Sequence, residues 1–564
     1  MTELYIQGKA VALPAEFALS MRAENPLVTK NGTYSLDLTL SLEEHTNAKL
    51  FQHMSRMHSY VHINGWRCRL VCDGHMLMNG TVAFVSNTDK DITIQLLSGN
   101  SELNFFVHNG KLIADLNMGE MTDADAGVDY VLPQVLVDGI EYNSPVDEPH
   151  PDDEHGWETY VPPVLMPQPL LLPYMERVIR SMGYDIEFNE LRDDSMFPTL
   201  FFLNNIVHYG GAGLCIPYND LMQGWKVVDF LEACEMFFCC IFDIDPVYRR
   251  VRIFRAARHN PLGLYTIEST LDDYERSAVD VDYSDTYINV RYDFPPASYF
   301  KLADLNDSTR ERCDVEEVPT FEVLRTQLGI TGLWIDKESA SQYYGTLKMW
   351  HVAETDTSYV VDRMNYSSNA GKKEVYYLRK VNHFGRVEGV PGANFMKIPF
   401  FPAETVYADD FVNCPAVDFA KTSQSSVDSG NFLDVAKNGV QDADAAPRRL
   451  VALAILLGTD PSGEIETATD FLRESGVCYE TVDPLRRTLR LDGEYGMYAR
   501  HYASTGRMDY SKEYRFRFVV RELPDVRADF LIGGKLFACK ELEYSVSARG
   551  VNMVVQGVFY EVKG

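Results

Sequence analysis

Tyr514-Arg515-Phe516-Arg517-Phe518-Val519-Val520-Arg521 alternates large apolar side chains with arginines. Successive side chains of a strand point to opposite faces. Tyr514, Phe516, Phe518 and Val520 therefore share one side, and Arg515, Arg517 and Arg521 the other. This is a strand with one buried and one solvated face, and its neighbours read the same way. Phe530-Leu531-Ile532, Gly533-Gly534 and Lys535-Leu536-Phe537 form a tight hairpin, because glycines accept the positive φ values of a two-residue turn. Glu541 to Val546 and Val551 to Val562 complete an antiparallel meander around Arg549-Gly550. Upstream, the apolar run Leu450 to Leu457 reads as a buried strand.

The first 140 or so residues carry a similar β signal. Thr33 to Leu40 alternates, with Tyr34, Leu36, Leu38 and Leu40 on one face. Asn47 to Met54 is more helical. Val61 to Ile63, Cys68 to Cys72, Thr81 to Val85 and Ile92 to Leu96 read as short strands. Asn64-Gly65, Asp73-Gly74 and Asn79-Gly80 punctuate them as turns. Cys68 and Cys72 lie four residues apart on one face, about 13 Å between Cα atoms, too far to bridge. This pattern predicts a barrel or sandwich.

The middle is α+β. Pro173 to Met182 is a helix, with Tyr174, Met175, Val178, Ile179 and Met182 on one stripe and Gly183 ending it. A second helix spans about Val227 to Phe238. A hairpin follows, Ile241 to Ile244 and Val247 to Phe254 around Asp245-Pro246, and then a strand at Tyr287 to Tyr292. Cys234, Cys239 and Cys240 sit in an aromatic run and read as buried thiols. Further strand-like pieces occur at Tyr359 to Val361 and Val375 to Leu378. The predicted fold class is multidomain and mainly β with an α+β middle: β-barrel or sandwich modules plus a helix–hairpin domain. The expected parts are a barrel-like domain over 1–142, an acidic Pro-rich linker or loop over 143–163, the helix–hairpin domain over 164–295, an inserted or peripheral mixed domain over 296–447, and a β-rich domain over 448–564.

Composition narrows the function. The chain has 564 residues, enough for about three to five domains. Fifty-two Lys and Arg against 82 Asp and Glu leave a net charge of −30, which argues against broad binding to nucleic acid or anionic membranes. Met1 to Lys9 lacks the pattern of a secretory leader, and no apolar run approaches about 18 residues, so a soluble chain without membrane insertion is expected. Ten cysteines are too sparse for a disulfide scaffold.

Catalytic signatures are missing. There is no Walker A loop, dinucleotide fingerprint, His-Glu-x-x-His, EF-hand or Gly-x-Ser-x-Gly elbow. Ser298-Tyr299-Phe300-Lys301 matches Ser-x-x-Lys without the partner motifs, as chance allows. His150, Asp152, Asp153 and His155 carry donor atoms but match no metal spacing, and a solvated acidic loop is the simpler reading. No catalytic residue, metal site or cofactor is assigned. Trp334, Tyr343, Tyr344, Trp350, Tyr376 and Tyr377 form a cluster of aromatics suited to glycan stacking or to an interface.

Three stretches carry a family resemblance. The first is Asn25-Pro26 with Tyr34-Ser35 and Asn47-Ala48-Lys49-Leu50-Phe51. The second is Trp225-Lys226-Val227-Val228-Asp229-Phe230-Leu231, leading through the hairpin to Ile288-Asn289-Val290-Arg291. The third is Gly493-Glu494-Tyr495-Gly496-Met497-Tyr498, followed by Phe530 to Tyr560. In this order the pieces resemble the phage tail or baseplate hub proteins of the divergent type found in Bacteroides-like phages and prophages. The resemblance implies a non-catalytic ring, usually a homotrimer, that closes the tail tube and connects it to tip or fibre proteins for host attachment. It implies a virion tail location after assembly in the bacterial host cytoplasm. Nucleic acid would pass through such a ring without stable binding, and an acidic inner wall would repel its phosphates. The alternative readings are a carbohydrate-binding receptor-recognition or adhesin module, resting on the aromatic cluster, and a tail-associated cell-wall hydrolase.

Overall fold

The computed structural model describes residues 2–29, 32–59, 61–101, 111–137, 140–143, 164–209, 213–222, 224–245, 248–256, 263–279, 283–293, 314–330, 334–344, 346, 348–354, 357–368, 371–381, 385–406, 414–417, 451–459, 465–469, 483–503 and 508–562. The acidic 143–163 stretch beyond Asn143, the Ser298 to Lys301 motif and the 418–447 segment lie outside them. The architecture is multidomain and mainly β, built from several sheets, and no sheet among the described residues closes into a barrel.

The N-terminal part contributes β1 (Thr2–Ile6), β2 (Ala18–Glu24), β3 (Thr33–Ser35), β4 (Leu38–Ser41), β5 (Arg67–Cys72), β6 (His75–Asn87) and β7 (Asp91–Ser98). Their inward residues, among them Leu4, Ile6, Leu70, Val82, Ile92 and Ile94, form one core. Cys68 and Cys72 are both buried there, as their spacing predicts. The Asp73-Gly74 turn is also found, with φ of 51° and 81°. Three expectations need correction. Val61 to Ile63 is irregular backbone and not a strand. Thr33 to Leu40 is not one strand: Tyr34 faces Leu97, whereas Leu38 faces Ile94. That one-residue slip moves the buried phase from Ser35 to Leu38 and Leu40 and leaves Tyr34 and Leu36 half-buried. Asn79-Gly80 is no turn but lies inside β6. Glycine is required there by crowding, since a Cβ would sit 1.8 Å from the Leu97 carbonyl oxygen.

In the middle, α1 (Leu171–Ser181) buries Tyr174, Met175, Val178 and Ile179. Gly183, φ 84°, turns the chain into β8 (Asp185–Asn189). The second helix, α2 (Val227–Phe238), ends where Cys239 adopts a left-handed φ of 49°. The hairpin is β9 (Cys240–Ile244) with β10 (Arg250–Arg255), in antiparallel register from Cys240↔Arg255 to Ile244↔Val251. The last carbonyls of α2 lack helical donors. The Tyr287 hydroxyl donates to those of Glu235 (3.0 Å) and Met236 (3.1 Å), and the Tyr502 hydroxyl to that of Phe237 (2.7 Å). The two tyrosine rings stack at 4.9 Å. Beyond the hairpin, β11 (Leu264–Ile267) and β12 (Glu275–Ala278) leave this core for the C-terminal sheet.

A smaller β-domain follows: β13 (Asp314–Val318), α3 (Phe321–Leu328), β14 (Lys348–Val352), β15 (Thr357–Ser368) and β16 (Gly371–Val381). Thr320 caps α3 by accepting from the Val323 amide at 3.3 Å, and Gly329 closes it at φ 67°. The long β15–β16 hairpin is tied by a buried Arg379–Asp362 pair at 2.7 Å. The apolar run upstream of 460 is β17 (Val451–Thr459), its first five residues buried. It lies between Leu200–Phe202 and Phe400–Pro402, inside the middle core.

The C-terminal meander is β18 (Met508–Val519), β19 (Asp529–Ile532), β20 (Lys535–Ser547) and β21 (Val554–Val562). Its predicted Gly533-Gly534 turn is present at φ 57° and 80°. Tyr514, Phe516 and Phe518 pack with Phe530, Phe537 and Phe559 into an aromatic core. The pairing of β2 with β20, from Ala18↔Ser547 to Glu24↔Glu541, fuses this meander to the N-terminal strands in one 15-stranded sheet. Strand pairing therefore crosses the boundaries read at 142 and 448. The physical reason is that backbone donors and acceptors pair with whatever edge is adjacent, at any sequence distance. Gly80→Ala will lower stability by about 1–3 kcal/mol through overpacking against β7, read as a shift in the urea unfolding midpoint without loss of native circular dichroism.

Candidate functional surfaces and junctions

The three large cores meet at a polar junction built on the hairpin. Asp243 lies in β9, whose five residues are all buried. The Arg527 guanidinium donates to Asp243 and also to Asp525, the latter at 2.8 Å through Nε. Burial pushes the Asp243 carboxyl above its ordinary value, and Arg527 offsets that only in part. Burial acts in the same direction on Asp525, but there the guanidinium prevails and holds the carboxyl low. Beside this pair, the Asn100 side chain donates to the Phe242 carbonyl and accepts from the Ile244 amide at 3.0 Å. Asn25 donates to the carbonyls of Val526 (3.1 Å) and Cys539 (2.8 Å). Arg527 and Asp243 are 284 residues apart, so nothing local announces the contact. The one sequence signal is a carboxylate inside the apolar run Ile241-Phe242-Asp243-Ile244.

Two further ionic clusters are centred on buried side chains, Glu176 and Arg255. Glu176 on α1 is 1% exposed and accepts from Arg192 at 2.7 and 2.6 Å, Asn189 at 2.8 Å and Arg180 at 2.9 Å. It pins the helix to the segment after β8. Arg255 on β10 donates to Asp194 and lies 3.2 Å from His501 Nδ1, with Phe197 packed beneath both. His501 belongs to a π-helical turn, Tyr498–Tyr502. Burial raises the Asp194 carboxyl, but His501, Arg255 and the amides of Met196 and Phe197 together bring it below its ordinary value. Arg255 and His501 are at most 7% exposed, so the cluster holds segments together and is closed to a substrate.

Of the aromatics of 334–377, Trp350 lies in the core of the smaller β-domain, with Tyr343, Tyr344 and Tyr376 packed against it. Trp350 and Tyr377 are buried, with the Tyr343 ring edge-on to Trp350 at 5.0 Å. Tyr344 and Tyr376 are half-buried and meet edge-on at 5.5 Å. The side chain of Trp334 lies outside the described residues. An open groove of about 580 Å³ is lined by Asp115, Asn117, Gly119, Glu120, Pro217 and Asn219. Among the described residues, no three His, Cys, Asp or Glu side chains are grouped to hold a metal ion, and no helix is long and apolar enough to cross a membrane.

No protein-family model matches the chain, and no curated protein matches it. Among solved structures, it is similar to the 43 kDa tail protein of prophage MuSo2 from Shewanella oneidensis, at 9% identity and a TM-score of 0.32, over 100% of this chain and 97% of that one. It is similar also to a tail protein from Neisseria meningitidis MC58, at 6% identity and a TM-score of 0.33, over 99% and 96%.

Two outcomes follow from the junctions. Arg527→Ala leaves Asp243 buried without its cation and will destabilise the protein by about 3 kcal/mol. Asp243→Asn in that background will restore part of the loss, measured as a double-mutant cycle in urea. For Glu176, burial raises the carboxyl, but Arg192, Asn189 and Arg180 outweigh it and hold its pKa below the ordinary 4.5. A lowered folded pKa contributes stability that is full above pH 4.5 and fades as pH falls through the folded value. Glu176→Gln will therefore be less stable than the parent at neutral pH, and the two stability curves will converge in acid.

Proposed function

We propose that this chain is a structural component of a phage tail, a baseplate hub that closes the tail tube and seats tip or fibre proteins, working by assembly and not by bond chemistry. The observation that carries this reading is the β2–β20 pairing, which joins the N-terminal and C-terminal cores into one hydrogen-bonded sheet. A wall segment of a ring must hold its β-modules at a fixed angle under load. Continuous backbone pairing, reinforced by Arg527 and Asn100 against the middle core, does that better than a flexible linker. The resemblance in Asn47 to Phe51, Trp225 to Leu231 and Gly493 to Tyr498 points to the same class.

In this reading three copies close a ring, since oligomers of identical chains adopt closed symmetry. The ring resides in the virion tail after assembly in the host cytoplasm, and the phage genome passes through without binding. The smaller β-domain, with half-buried Tyr343, Tyr344 and Tyr376, would face a neighbouring tail protein. Light scattering with negative-stain imaging tests the reading. A particle of three 64.0 kDa chains around a central opening is expected. A monomer at every concentration, or release of fragments from cell-wall material by the purified protein, would overturn it.

A further inference from the structure

Charge is unevenly divided along this chain. Residues 508–564 hold nine Lys and Arg against eight Asp and Glu, a net +1, while residues 1–507 carry −31. Within the C-terminal meander three of the nine cations follow one another along the face of β18 opposite its aromatic core. Arg515 and Arg517 are exposed there, about 7 Å apart along the strand, and exposed Arg521 follows just beyond its end. Arg517 reaches Asp272 at 3.5 Å, but both side chains stay more than half exposed. Arg515 stands opposite exposed Glu275 and helps to lower the Glu513 carboxyl, but no ion pair within 4.0 Å is formed by Arg515 or Arg521 among the described residues. Between the cations Val519 is 60% exposed, with Val554 opposite it and Met553, 38% exposed, beside it. Exposed Gln556 lies opposite Arg517. Arginine flanking small apolar side chains is the composition of a protein interface more than of a solubilising surface.

We propose that this arginine row is a docking surface for a second copy of the chain, received through that copy's acidic part. Charge complementarity selects the occupant. A row laid on the same row would oppose like charges, so a two-fold contact on this face is disfavoured. The remainder of another copy, at −31, offers the carboxylates that guanidiniums bind in pairs. A nucleic acid would meet three cations here and the repulsion of everything else. The contact is therefore heterologous, one face to a different face, and repeating it gives a closed ring or an open filament. The inference rests on the ring-forming reading for the existence of copy–copy contacts and adds the surface that makes them.

The test is sedimentation velocity of the full chain at about 50 mM and about 500 mM NaCl, beside the variant Arg515→Glu/Arg517→Glu/Arg521→Glu. The parent should associate at low salt and weaken at least about tenfold at high salt, where the screening length shrinks. The variant should associate at least about tenfold more weakly at low salt, with an unchanged melting curve because all three side chains are exposed. If reversal perturbs folding, the same three positions changed to Gln serve instead. Equal assembly of parent and variant would overturn the docking surface and leave the ring reading intact. A parent that stays monomeric throughout would overturn both. Row-dependent binding to a DNA duplex, tighter than self-association, would reassign the row to nucleic acid.

Discussion

Seven residue pairs between Ala18–Glu24 and Lys535–Ser547 hold this molecule in its shape. Without them the N-terminal strands and the C-terminal meander would be two small β units, each with an open edge and a modest core. Paired, they share one sheet while keeping separate interiors, aliphatic on one side and aromatic on the other. The open edges move outward, to short strands that include Lys9–Ala10, Leu264–Ile267 and Glu275–Ala278. Short edge strands with charged side chains resist indiscriminate pairing.

The segment Leu264–Ala278 adds a second constraint. It leaves the middle core, pairs in parallel with Asp529–Ile532, and a few residues later pairs antiparallel with Met508–Val519. One short stretch thus supplies both outer strands of the C-terminal sheet. Tyr274 lies about 6 Å from both Tyr514 and Phe516, over the rim of the aromatic core. With the Arg527–Asp243 contact and the Asn25 and Asn100 bridges, the middle core grips the fused sheet at several points. Each contact joins residues far apart in sequence, so none can form before the chain has largely collapsed.

Buried charge is used in a consistent way. Glu176, Asp243 and Asp362 are each met by an arginine from another segment, and Asp483 is met by Arg487 four residues on, whose guanidinium also donates to the Leu456 and Leu457 carbonyls. Such pairs add little net stability compared with an apolar core, but they penalise any arrangement that leaves one partner alone. In a mainly β chain a one-residue slip turns every side chain to the other face, and the penalty on an unpaired buried charge adds to that cost in selecting one register. Gly80 acts to the same end by sterics, admitting the Leu97 backbone where any side chain would exclude it.

Local patterns were legible from residues alone. Alternation at 514–520 located a strand and its buried face, the apolar stripe at about 227–238 located a helix, and paired glycines at 533–534 located a turn. These are decided by side-chain period and by φ, which act within a few residues. Cys234, Cys239 and Cys240 could be placed in the interior, and Cys68 and Cys72 on one face, for the same reason. The aromatics of 334–377 show where such reading stops, since composition alone does not say which ring faces solvent. Which strand lies beside which, why Asn79-Gly80 continues a strand, and why Arg527 answers Asp243 were decided only by the tertiary structure. Hydrogen bonds between strands carry no sequence label, and a charge buried at a junction finds its partner only when distant segments have already been brought together.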